Sequence, residues 1–246
     1  MLRGRPMNSF DFHTVSFLNQ FAHLSGVLNN CLFLFEQSNL LTWVPITALL
    51  WWAWFKGDGQ EDSNRKLVIT TIVAVGLVTI FFYFCDRHAL IGFRSRPMFN
   101  PRLDFQTPSG IQLPSPDSYW GKTETFPSGH AAVFAALGVG LLYISRPAGT
   151  LVLVYSLLVC LGRIYFGIHY PSDIIGGACV GIAAVLFART KLIDYLLTRR
   201  LIKWPMHHPS SFYAVFFIVT YSVATGFQEL KGIAGPMKLI MKIIWH

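Results

Sequence analysis

Three short patches in this chain carry side chains out of keeping with their apolar surroundings: Arg94-Ser95-Arg96-Pro97, Pro127-Ser128-Gly129-His130, and Arg163 followed by His169 and Asp173. Singly, each has a bland reading, because an arginine at a helix end reaches to lipid headgroups and a lone histidine packs in a core. Together they contain what hydrolysis of a phosphate ester needs: fixed donors around charged oxygens, an in-line nucleophile, and a proton for the leaving oxygen. Arg163, Arg96 and Arg94 offer forked guanidinium contacts to phosphate. Ser128 and Gly129 stand where an apolar run begins, so a hydroxyl and the N–H groups of a helix start would cradle an anion there.

His169 and Asp173 are four residues apart with Pro171 between them. At a helix start, that spacing lets the carboxylate reach back to the imidazole and fix its tautomer. His169 then reads as a nucleophile that forms a phosphohistidine, with Asp173 stabilising the charge that develops on the ring. His130 is left to protonate the departing oxygen and to activate the water that releases the phosphoenzyme. Neither metal nor cofactor is expected, since the sequence has no HExxH and no close run of carboxylates. Asp86, Asp104 and Asp117 read as solvated loop residues.

The elements that must position these groups are membrane helices. The 246 residues are 53% hydrophobic and 13% charged, with a mean hydropathy of +0.46, far from the soluble average of about a quarter charged. The apolar residues gather into runs at 40–55, 67–84, 130–144, 151–165, 173–188 and 212–227, an all-α polytopic bundle with a six-helix core. Residues 15–36 alternate apolar and polar side chains and are expected to form an N-terminal amphipathic helix or an additional span. One membrane domain over 1–246 is the expectation, with an extramembrane loop at 86–126 that carries part of the site. A second Pro-Ser-Gly at 108–110 lacks the histidine and reads as a turn, while Phe99, Phe105 and Trp120 of the loop are expected to rest at the interface. Gly177 and Gly181 form a GxxxG that permits close helix packing.

The formal charge of +8 does not point to nucleic acid, because the basic residues are scattered between apolar runs without a stripe. Their partners are expected to be the bilayer and its headgroups, and no protein partner is indicated. The four cysteines show no metal or disulfide spacing and read as packing residues. By parity, the loop 86–126 and the turn 163–172 share one side, and Lys56, Arg65, Lys66, Arg146, Arg189, Lys191, Arg199, Arg200 and Lys203 fall on the other. That bias marks the second side as cytoplasmic, so a multi-pass protein of the inner (plasma) membrane with its site facing periplasm or exterior is expected.

The three patches resemble the motifs of the type 2 phosphatidic acid phosphatase superfamily, membrane lipid phosphatases that share their site with vanadium haloperoxidases and acid phosphatases. Pro127-Ser128-Gly129-His130 is complete; Gly162-Arg163, His169 and Asp173 match the third motif with glycine for serine; Arg96-Pro97 match the first, with Ala89 at its lysine position. The resemblance implies His169 as nucleophile, His130 as general acid, and a six-helix membrane core. Its bacterial branch implies undecaprenyl diphosphate as substrate, with phosphatidylglycerophosphate or phosphatidic acid as alternatives. Arg87 or Arg94 would replace the missing lysine. A phosphotransferase using the same histidine is the second reading, and a transporter or structural protein whose arginines bind headgroups is the third.

Overall fold

The apolar runs fold into helices, and no strand occurs among the described residues, 7–88, 94–117 and 125–227 of this computed structural model. The helices are α1 (Ser9–Asn19), α2 (Gly26–Gln37), α3 (Asn39–Thr42), α4 (Val44–Trp54), α5 (Glu61–His88), α6 (Gly129–Leu142), α7 (Arg146–Tyr165), α8 (Pro171–Ala188) and α9 (Pro209–Ala224). A run of short helical turns joins α8 to α9. Three helices are long and apolar enough to cross a bilayer, α5 over Glu61–Cys85, α7 and α8, and α6 and α9 are shorter apolar helices. The architecture is an all-α membrane helix bundle.

The middle of the bundle is α6, buried on nearly every face and packed against α5, α7 and α8. Its sequence of alanines and glycines explains how three neighbours fit around it. A Cβ on Gly181 would lie 2.0 Å from the Ala132 carbonyl oxygen, and one on Gly177 would lie 2.2 Å from that of Ser128. The GxxxG of α8 is therefore pressed against the α6 backbone, as small-residue stripes in membranes allow. On the outer side, Leu151, Val154, Leu158 and Leu161 of α7 are exposed at helical spacing, a stripe facing lipid.

Residues 15–36 are neither one amphipathic helix nor a span. They fall into α1 and α2, separated at residues 20–25, with Ser25 capping α2 through the Leu28 N–H. At about 1.5 Å per residue, neither crosses a hydrocarbon layer about 30 Å thick. Instead α1 packs on α7 and α8, and α2 packs on α7.

The loop at 94–117 lies over the turn between α7 and α8. Leu103 joins Val15, Ile164 and Tyr170 in one apolar cluster, and Ile111 joins Phe166 and Ile168 in another. Phe105 covers Gly167, so it packs on protein instead of resting at the interface; Trp120 is outside the described residues. Pro108-Ser109-Gly110 is a turn, with Gly110 at φ +81°. It fastens the loop to the N-terminal helices: Ser109 N–H donates to the Ala22 carbonyl at 2.9 Å and its own carbonyl accepts from Asn29 at 3.2 Å. Cys85 and Cys160 are buried, while Cys31 and Cys179 are exposed and do not pack in the core.

Candidate active site

The start of α6, the end of α7 and the start of α8 meet at one end of the bundle. The joint is a backbone hydrogen bond, Ser128 N–H to the Asp173 carbonyl at 2.9 Å. Arg146 and Arg189 stand at the opposite ends of α7 and α8, where Lys66 pairs with Asp194 at 2.8 Å. The parity argument for a shared face therefore holds for the described helices.

The turn between α7 and α8 positions the arginine and the histidine together. Gly167 adopts φ +65°, where a side chain is strained and where a Cβ would strike Phe105. The chain thereby folds back so that the Ile168 and His169 N–H groups both donate to the Arg163 carbonyl, at 2.9 and 3.3 Å. Pro171 then opens α8 and Asp173 occupies its third position. There the carboxylate caps the helix, with Oδ2 accepting from the Tyr170 N–H at 2.8 Å. The same oxygen lies 3.6 Å from His169 Nδ1. That is just beyond hydrogen-bond length, and Nδ1 has no closer partner. One spacing thus starts a helix and backs an imidazole.

Asp173 is held by two further side chains. Thr125 Oγ1 donates to Oδ2 at 2.6 Å and the Arg94 guanidinium donates to Oδ1 at 2.7 Å. Arg94 also pairs with Asp11, donates to Ser172 Oγ at 2.8 Å and lies 3.8 Å over the Tyr170 ring. Its charge is engaged by two buried carboxylates, Asp11 and Asp173, so in this structure it braces Asp173 and is not turned to an open anion seat. The sequence offered no sign of Asp11 or Thr125, both wholly buried here. Asp11 accepts from the Ser172 N–H at 2.9 Å and from Ser172 Oγ at 2.6 Å, clamping α1 to the start of α8.

Ser128 caps α6, its hydroxyl accepting from the Ala131 N–H at 3.4 Å, and Gly129 and His130 form the first turn. The His130 ring is half-buried and stacks obliquely on Trp43, 5.1 Å between centroids. Arg96 donates to the Ile168 carbonyl at 2.9 Å, which ties the first patch to the histidine turn. Arg163 is buried and pairs with Glu36 of α2, and its Nε is without a hydrogen-bond partner. The lysine position of the first motif, Ala89, and the side chain of Arg87 lie outside the described residues. No group of three or more His, Cys, Asp or Glu capable of holding a metal occurs among the described residues.

Burial lowers the His169 pKa from 6.5 to about 4; the Asp173 carboxylate opposes the shift, and the Arg163 and Arg96 charges add to it. The imidazole is consequently neutral at physiological pH, the state in which a ring nitrogen carries a free electron pair.

Comparison with known proteins points to one family. The sequence profile of the PAP2 superfamily matches residues 66–194. An undecaprenyl-diphosphatase of Sulfolobus acidocaldarius is 30% identical over 66% of this chain and 68% of its own. The undecaprenyl-diphosphatase BcrC of Bacillus subtilis is 21% identical over 65% and 73%, and a lipid A 4'-phosphatase of Porphyromonas gingivalis 28% over 80% and 80%. No solved structure gives a significant match.

Proposed function

Because the chain belongs to the PAP2 superfamily, it is a phosphatase of membrane lipids, and we propose that it releases phosphate from undecaprenyl diphosphate through a phosphohistidine on His169. The observation that carries the mechanism is the buried His169–Asp173 pair beside Arg163 at the end of the bundle where α6 begins. With Nδ1 turned to Asp173, the proton sits on Nδ1 and Nε2 is the attacking atom. An Nε2–P bond forms as the bond from phosphorus to the lipid-side oxygen breaks, and His130 gives that oxygen its proton. Neutral again, His130 takes a proton from water, whose oxygen attacks phosphorus and frees His169. Arg163, Arg96, the Ser128 hydroxyl and the N–H groups of Gly129 and His130 hold the phosphate oxygens. No metal or cofactor is required by these steps.

The whole chain works as one unit, in the cell inner (plasma) membrane with the site facing periplasm or exterior. What supports that sidedness is the cluster of Lys66, Arg146 and Arg189 at the end away from the site. The test is phosphate release by detergent-solubilised protein with chelator present, comparing undecaprenyl diphosphate, phosphatidylglycerophosphate and phosphatidic acid. The diphosphate should turn over fastest, and His169→Ala should be inactive on all three. Full activity in His169→Ala would reject the covalent route, and loss of activity with chelator would reject the metal-free one.

A further inference from the structure

Three carboxylates are buried among the described residues: Asp11, Asp173 and Glu36. The first two sit at the start of α8, where helix dipole and N–H groups favour a negative charge. Glu36 is placed against that rule, in the last turn of α2, where the dipole disfavours an anion. Two contacts hold it: Arg163 donates to one oxygen and the Gln37 amide to the other at 2.8 Å. On the guanidinium side, the pairing leaves the buried Nε without a partner. A carboxylate thus occupies the group assigned above to phosphate, and fills only part of its donor set.

The surroundings of Glu36 show how the two would exchange. On one side is a cleft of about 210 Å³ between α2 and α7, lined by Leu32, Phe35, Glu36, Leu158, Gly162 and Tyr165. Leu32 and Leu158 are exposed, so this cleft faces lipid. The next residue, Gln37, lines a separate hollow of about 380 Å³ with Gln112, Met98 and Ile168 in its wall. At Ser38, which ends α2 and caps α3, the backbone turns extended, giving α2 a joint beside the carboxylate.

We propose that Glu36 is a charge filter: it fills the Arg163 seat in the empty enzyme and yields only to a phosphate carrying more than one negative charge. The inference rests on Arg163 being the phosphate seat. A phosphodiester headgroup brings one charge and would replace another single charge with no Coulomb gain. A terminal monophosphate or diphosphate brings more charge and more acceptor oxygens, enough to engage Nε as well. The bulk phospholipids of the bilayer are phosphodiesters, so such a filter keeps the site clear of the most abundant headgroups while admitting terminal phosphates.

The experiment uses the full purified chain in detergent, with inorganic phosphate as titrant and calorimetry as readout. Glu36→Gln keeps the shape and removes the charge, so it should bind phosphate about tenfold more tightly than wild type, the fold-change of one charge-assisted hydrogen bond. In the same preparation, added phosphatidylglycerol should inhibit Glu36→Gln and leave wild type unaffected. Glu36→Asp, with its carboxylate drawn back from the guanidinium, should move in the same direction and carries the comparison if the glutamine variant fails to fold. Equal or weaker phosphate binding by these variants, with binding abolished in Arg163→Ala, would overturn the filter and leave Glu36 as a prop for the arginine. Undiminished binding by Arg163→Ala would overturn the seat assignment itself.

Discussion

Arg94 and Asp173 form a buried ion pair 2.7 Å long, and through it the first patch reaches the His169–Asp173 pair from behind. The guanidinium spans Asp173, Ser172 and Asp11 at once, a task for a planar fork and not for an ammonium. Arg94→Lys should therefore keep its charge and lose the geometry. We expect kcat to fall about 100-fold, the scale of a misplaced catalytic group, with KM little changed. Arg163→Lys should raise KM instead. Steady-state kinetics on both variants separates the brace from the grip, and a rise in KM without loss of kcat in Arg94→Lys would return Arg94 to the phosphate.

In the proposed mechanism, His169 sets the acid limb of the pH profile. Its pKa is lowered to about 4, chiefly by burial, so protonation removes the nucleophile only as pH falls through that value. On the acid limb, the kcat/KM of the free enzyme should show no loss from protonation around 6.5, where an ordinary histidine titrates, and be half lost near pH 4. A half-point between pH 6 and 7 would assign the limb to a different group.

Much of this site was legible because its spacing has a local cause. His169 and Asp173 are set by one helix start, and Ser128 with Gly129 by another, so pattern alone locates them. The helices were legible because apolar runs of that length have few other uses. Asp11, Glu36 and Thr125 were not, since each meets the site across a sequence separation of 48 to 161 residues, which no periodicity encodes. The Arg94–Asp173 contact was hidden for a related reason: a basic residue near the site looks the same in sequence whether it faces a ligand or the carboxylate behind the histidine. The break between α1 and α2 was hidden by polar residues that satisfy one another, as Asn29 does with Tyr165 at 2.6 Å.

Asp11 ties the N-terminal helix to the residues proposed to carry catalysis. Replacing it with alanine removes one of the two carboxylates paired with Arg94 and the acceptor of the Ser172 N–H, a loss of about 3 kcal/mol by analogy with broken buried pairs. Asp11→Ala should lower the detergent melting temperature and kcat together, whereas Asp117→Ala in the exposed part of the loop should change neither. Thermal melts and phosphate release on the two variants check this, and a fully active Asp11→Ala would detach α1 from the site.

Two glycines of α8 should fail differently. Gly177 and Gly181 both touch the α6 backbone, but Gly177 meets the Ser128 carbonyl and Gly181 meets that of Ala132, a turn deeper. A methyl group at either must separate the helices, since the obstructing atoms are backbone and cannot rotate away. At Gly181 the cost is spread over the bundle, so Gly181→Ala should lose stability, about 1–3 kcal/mol, and keep most of its kcat per folded molecule. At Gly177 the displaced group is the cap of α6, hydrogen-bonded to Asp173 at 2.9 Å and followed within two residues by His130. Gly177→Ala should therefore lose kcat out of proportion to its melting temperature. Gly162→Ser, which places its side chain in open space, is the control for a glycine at the site and should remain within about threefold of wild type, under 1 kcal/mol. Equal losses of kcat in the two α8 variants would mean that the α6–α8 contact supports the bundle as a whole and does not set the position of the anion cradle.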